Sequence, residues 1–194
     1  IKVIKKTWYA HLSKRSYHYK TGLFTKRYKL NQARSRTWAA KHWMENAEFI
    51  KVKRDGLGWI HNGFQDAWDD LKKEVMKSIN PIKKLYIGGH SLGGAEASIA
   101  ALYLKNKGYK IEAVYTFGSP RVGDSSWKKN FSKSGIEYYR IVNGNDIVSS
   151  VPKIFFYHVG KEIHINRRPF FSWFHNRFLD HKIENYIDNL YKLG

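Results

Sequence analysis

Apolar positions between residues 64 and 79 recur at three- and four-residue steps, at Phe64, Ala67 and Trp68, Leu71, Val75 and Ile79. That spacing predicts an amphipathic helix ending before Pro81. Just upstream, Leu57 to Gly63 predicts a short strand. Downstream, Leu85 to Ile87 form a short apolar run that enters two glycines, and Ala95 to Leu104 are rich in small residues, which gives strand, tight turn and helix. EAVYTFGSP predicts a second buried strand stopping at Gly118 and Pro120, and EYYRIVNGND a third stopping at Asn143 and Gly144. A helical pattern around Trp127 to Phe131 supplies the crossover between them. IFFYHVGKEIHI predicts two more short strands around Gly160, and DHKIENYIDNLYKL a closing helix with Ile183, Tyr186, Ile187 and Leu190 on one face. Strands alternating with helices predict a mainly parallel sheet with helices on both faces.

Residues 1 to 30 lack such periodicity. Lys and Arg interleave there with Trp8, Tyr9, Tyr17, Tyr19, Phe24 and Tyr28, the pattern of one or two short strands or a loosely packed arm. Charge is concentrated in the same region. Residues 1 to 54 hold 15 Lys and Arg against Glu45 and Glu48 alone, out of a total balance of +19. The 194 residues fit a single domain, 1–194, large enough to bury a core.

With no cysteine, disulfide scaffolds and Cys-based zinc sites are excluded. The longest apolar run, Ile99 to Leu104, falls far short of the roughly 20 residues that span a bilayer. The chain opens on Ile1 with no signal-like segment, as expected of a fragment or of a chain whose leader was removed. Both a secreted and a cytoplasmic location fit.

The sharpest chemical feature is Gly89-His90-Ser91-Leu92-Gly93, a G-x-S-x-G pentapeptide at the expected strand-to-helix junction. In a nucleophile elbow the serine sits in a strained turn and projects above the carboxyl edge of the sheet. A serine hydroxyl needs a base to take its proton and a carboxylate to hold that base. Among downstream acids Asp146 is best placed, because it follows the YYRIV strand and its turn, where α/β sites form. Asp124 fits better as the cap of the helix after it. His158 and His164 flank the expected hairpin, and His175 sits among Arg and Phe. His181 opens the last helix, which would return the chain over the sheet edge. Topology favours His181 without closing the choice.

At this point the chain resembles the class 3 lipases, the filamentous-fungal type of α/β-hydrolase. The matching segments are HNGFQDAW (61–68), YIGGHSLGGAEASIAAL (86–102), YTFGSPRVGD (115–124), YRIVNGNDIVSSVP (139–152), YHVGKEIHI (157–165) and LDHKIENYI (179–187), in family order. The resemblance implies an α/β-hydrolase fold and a serine hydrolase that cleaves carboxylic esters of lipids through an acyl-enzyme, with no cofactor. It implies Ser91 as nucleophile, Asp146 as triad acid and His181 as base. It also implies Leu92 N–H as one oxyanion donor and Thr37, six residues before Trp43, as the other. Ser35 and Arg36 stand where the family has Arg and Gly, and residues 1 to 36 match no family segment. Trp38 and Trp43 lie where the family carries its lid helix.

Other readings sit beside these. No HExxH is present, so metal chemistry has little support. The basic N-terminal region reads as a solvated face, as an attractor of anionic lipid, or as a holder of single-stranded nucleic acid. Nucleic acid is not expected, since no binding motif accompanies the charge. The expected partner is a lipid ester at an interface, with contact to an anionic membrane surface. The competing class is a catalytically silent lipase-like module that binds anionic lipid or nucleic acid. Oligomeric state is not legible.

Overall fold

A computed structural model of the chain describes residues 23–25, 50–167 and 177–193. Thr37, Trp38, Trp43 and His175 lie outside the described residues. The elements in chain order are β1 (Leu23–Thr25), β2 (Lys51–Arg54), β3 (Gly58–His61), α1 (Asn62–Ser78), β4 (Leu85–His90), α2 (Leu92–Asn106), β5 (Ile111–Phe117), α3 (Ser125–Lys133), β6 (Tyr138–Asn143), β7 (Lys161–Ile165), α4 (Arg177–Asp180) and α5 (Ile183–Tyr191).

The main sheet runs β1-β4-β5-β6-β7. β4 to β7 are parallel to one another, and β1 pairs antiparallel with β4 at the edge. β2 and β3 form a separate antiparallel hairpin.

Side-chain alternation along each strand splits the core into two layers. Leu85, Ile87, Val114 and Tyr138 face one cluster with α1, α2 and α3. Ala113, Tyr115, Phe117, Ile141 and Ile165 face the other, closed by Ile183, Tyr186, Ile187 and Leu190 of α5. α1 buries Phe64, Trp68, Leu71 and Val75, the stripe read from its periodicity. α2 is buried nearly all round, which its small residues permit because it lies between α1 and the sheet. At Gly94 a Cβ would stand 2.7 Å from Ser119 Cβ, so this helix approaches the sheet's loops where only glycine fits.

Two expectations change. Around Gly160 there is one strand, not two: β7 lies parallel to β6, and Tyr157 makes only an isolated bridge to Gly123. The segment before Gly160 does not bury an alternating face, since Ile154 and Phe155 both point outward. The closing helix forms as α5 with its expected face buried, but it starts at Ile183, so His181 lies in the turn between α4 and α5 rather than at a helix start. Asp180, one residue earlier, is fully buried and accepts from Asn145 N at 2.8 Å, which ties that turn to the end of β6.

Candidate active site

β4, β5 and β6 all end at one edge of the sheet, and the candidate residues gather there. Ser91 follows β4 directly and is the N-cap of α2, with φ 58° and ψ −128°. A non-glycine residue in this region is strained. The strain is held by the frame, since Ser91 N donates to Phe117 O at the end of β5 at 3.0 Å and Ser91 O accepts from Gly94 N at 2.8 Å. The hydroxyl makes no cap bond to the helix. It lies 2.8 Å from His181 Nε2.

His181 Nδ1 in turn meets Asp146 Oδ1 and Oδ2 at 3.0 and 2.9 Å. Asp146 follows β6, where Asp146 N donates to Asn143 O at 3.0 Å. Its carboxylate also accepts from Val148 N at 2.8 Å and from Tyr186 OH at 2.6 Å. Burial alone would raise the Asp146 carboxyl, but the hydrogen bonds from His181 and Tyr186 and the nearby imidazole charge hold it below its ordinary value. An ionised carboxylate only accepts, so Nδ1 is the nitrogen that presents a proton to Asp146, and the tautomer that does so with Nε2 bare offers a lone pair to the Ser91 hydroxyl. The same arrangement can take that proton and stabilise the imidazolium that results.

The sheet thus brings Ser91, His181 and Asp146 into one hydrogen-bonded chain. Leu92 is the first residue of α2, and N–H groups of a first helical turn have no intrahelical acceptor. His158 and His164 are directed elsewhere, with their Nε2 atoms 2.7 and 2.6 Å from Ser149 O and Gly144 O. Burial, and next the Arg140 charge, lower His158 to about 3. Asp124 caps α3, its Oδ1 accepting from Ser126 N and Trp127 N at 2.8 and 3.2 Å.

Three further groups support the site, and periodicity did not mark them as functional. Tyr186 belongs to the buried stripe of α5, where an aromatic reads as core. Burial and the adjacent Asp146 push its hydroxyl well above its ordinary value, so it stays a donor. His90, the variable position of the pentapeptide, stacks on His181 with ring centroids 4.7 Å apart and donates from Nε2 to His181 O at 2.7 Å. Burial, and next the charge of His181, lower His90 to about 3, so this second imidazole stays neutral. Asn143 gives its side-chain amide to Asp180 O at 2.9 Å.

A parallel sheet with helices on both faces and a strained serine elbow at Gly89–Gly93 defines an α/β-hydrolase. The family model described as Lipase (class 3) matches residues 32–156. The chain belongs to the class 3 lipase family. It is 35% identical over 125 residues to the secreted mono- and diacylglycerol lipase 1 of Fusarium solani, a match covering 60% of this chain and 37% of that protein. With the lipase of Rhizomucor miehei it shares 32% identity over 136 residues, covering 63% and 38%. A solved triacylglycerol lipase, described as having a serine-protease triad as its catalytic centre, superposes with a TM-score of 0.57 at 30% identity, over 66% of this chain and 53% of that one. The chain spans about two fifths of the length of these curated relatives.

Proposed function

We propose that the chain is a serine hydrolase cleaving carboxylic ester bonds of lipids through an acyl-enzyme. Ser91 Oγ attacks the ester carbonyl while His181 Nε2 takes its proton, and the developing imidazolium is held by Asp146. His181 then gives that proton to the departing alcohol. A water, deprotonated by His181, hydrolyses the acyl-Ser91 ester and releases the fatty acid. Leu92 N–H and Thr37 are the proposed oxyanion donors; losing one such donor typically costs about 2.7–4 kcal/mol of barrier. Trp38 and Trp43 are the proposed lipid-facing residues of a lid.

The observation that carries this reading is the Ser91–His181–Asp146 hydrogen-bond chain at the carboxyl edge of the sheet. The names of the relatives, mono- and diacylglycerol lipase and triacylglycerol lipase, support glycerides as the substrate class, and the secreted relatives support secretion. The balance of +19 supports a preference for anionic interfaces and with it a phospholipase A1-like activity.

Release of p-nitrophenol from short- and long-chain p-nitrophenyl esters, run beside Ser91→Ala, tests the reading. Turnover in the parent with a loss of about 10⁴-fold or more in the variant is expected. Equal rates in both proteins would overturn it, and a folded but inactive parent would favour the silent lipid-binding module. For the anionic preference, equal and salt-insensitive cleavage of neutral and anionic vesicles is the contrary result.

A further inference from the structure

The β2–β3 hairpin and the segment 153–157 place large apolar side chains in solvent. Trp59, Ile154, Phe155 and Tyr157 are 42, 58, 70 and 42% exposed. Backbone contacts make them neighbours. Asp124 N donates to Trp59 O at 3.0 Å, Tyr157 N donates to Gly123 O at 2.7 Å, and Gly123 bridges both Ile60 and Tyr157. Phe155 is held outward from a left-handed backbone, φ 59°, a conformation that bulky residues rarely adopt. Stability alone favours glycine at such a position and an apolar ring inside, so an outward Phe in strained backbone points to a use in binding.

Lysines surround the rings. Lys51 Nζ lies 5.6 Å from the Phe155 ring centroid and Lys128 Nζ 5.6 Å from that of Tyr157. Lys53 stands opposite Trp59 in the hairpin register, on the same face. The neighbouring carboxylate, Asp124, is engaged in capping α3 and lies 4.0 Å from Lys51 Nζ. A surface of aromatics and lysines on a chain of charge +19 repels a second copy of itself. It complements a layer of lipid phosphates over acyl chains, where Trp and Tyr sit at headgroup depth and Lys stems lie along apolar surface with their charge in water.

We propose that this patch docks the chain on membrane surfaces rich in anionic phospholipid. Trp59, Phe155 and Tyr157 enter the headgroup layer, and Lys51, Lys53 and Lys128 meet phosphates. The proposal rests on the lipid-hydrolase reading only for its purpose, since docking does not require Ser91.

The test uses the full chain carrying Ser91→Ala, so that vesicles are not consumed, with phosphatidylcholine vesicles and vesicles containing phosphatidylglycerol. Trp59→Ser with Phe155→Ser should lower partitioning onto the anionic vesicles about ten-fold or more. Lys→Ala at 51, 53 and 128 should lower it about five-fold per residue at low salt. Brominated lipid should quench tryptophan fluorescence in the parent, and Trp59→Phe, which keeps an aromatic ring, should lose that quenched component while still binding. This last arm decides the matter if the serine variants fold poorly. Unchanged partitioning without Trp59 and Phe155 would overturn the proposal and assign the attraction to the basic N-terminal region. A concentration-dependent dimer abolished by the same pair would overturn it in favour of self-association. Hydrolysis of a soluble short-chain ester, measured with Ser91 intact, should be unchanged by the patch substitutions; its absence in the parent would sink the hydrolase reading and leave the docking result standing.

Discussion

Tyr186 donates its hydroxyl to Asp146 Oδ2 at 2.6 Å and accepts from Asn143 N at 3.1 Å, so one buried phenol joins α5, the end of β6 and the carboxylate beside His181. Its hydroxyl has a second task besides filling the core, because a carboxylate buried without donors is costly.

Tyr186→Phe removes both bonds at once. It should destabilise the protein by about 1.5–3 kcal/mol, the range for a hydrogen bond to a charged group, read from urea unfolding. The pH dependence has a defined sign. Asp146 is held below its unfolded value of about 3.9, so the stability it contributes is present above that value and is lost as pH falls through the lower folded one. The gap between parent and Tyr186→Phe should therefore narrow below about pH 4. A gap that widens in acid would show that Tyr186 does not favour the ionised form.

His90 gives the second pH signature. Its folded value of about 3 lies below the unfolded value of about 6.5, so the unfolded chain gains a proton first as pH falls. Stability is intact above about 6.5 and is lost progressively toward 3, amounting to about 2 kcal/mol by pH 5 from this one group. His158 acts in the same direction. Comparing unfolding free energies at pH 7 and 5, His90→Asn should lose less than the parent over that interval. Equal losses would mean that His90 is protonated in the folded protein.

How much of this was legible follows from what periodicity measures. The stripes Phe64, Trp68, Leu71, Val75 and Ile183, Tyr186, Ile187, Leu190 were readable because burial on one helix face repeats along the chain. The elbow was readable because strand, glycine turn and helix are contiguous in sequence. The roles of Tyr186 and His90 were not, since each depends on a partner brought by tertiary packing: Asp146 to Tyr186, and the His181 ring to His90. The turn that holds His181 just before α5 was hidden for the same reason, because buried Asp180 beside it accepts from Asn145 N, far away in sequence. Around Gly160 the segment IFFYHVGKEIHI suggested two short strands, yet Phe155 faces solvent and no second strand pairs there.

Gly118 is a geometrically constrained position in contact with the acid–base pair. Its φ is +57°, and a Cβ would stand 2.5 Å from Asp146 Oδ2 and 2.9 Å from His181 Nδ1. Gly118→Ala must displace the pair that it touches. We expect a drop in kcat of about 100-fold, in line with the effect of an ångström-scale misplacement, with the fold retained by circular dichroism. Full activity in a folded Gly118→Ala protein would mean that the acid–base pair tolerates movement.

The central claim is that Ser91 is activated by His181. Intact-mass measurement after exposure to a fluorophosphonate tests it most directly, because the reagent requires a nucleophilic serine rather than a particular lipid. A single adduct is expected, placed on Ser91 by peptide mapping, absent from Ser91→Ala and strongly slowed in His181→Ala. A folded parent that takes up no adduct, or one labelled equally well without His181, would contradict it.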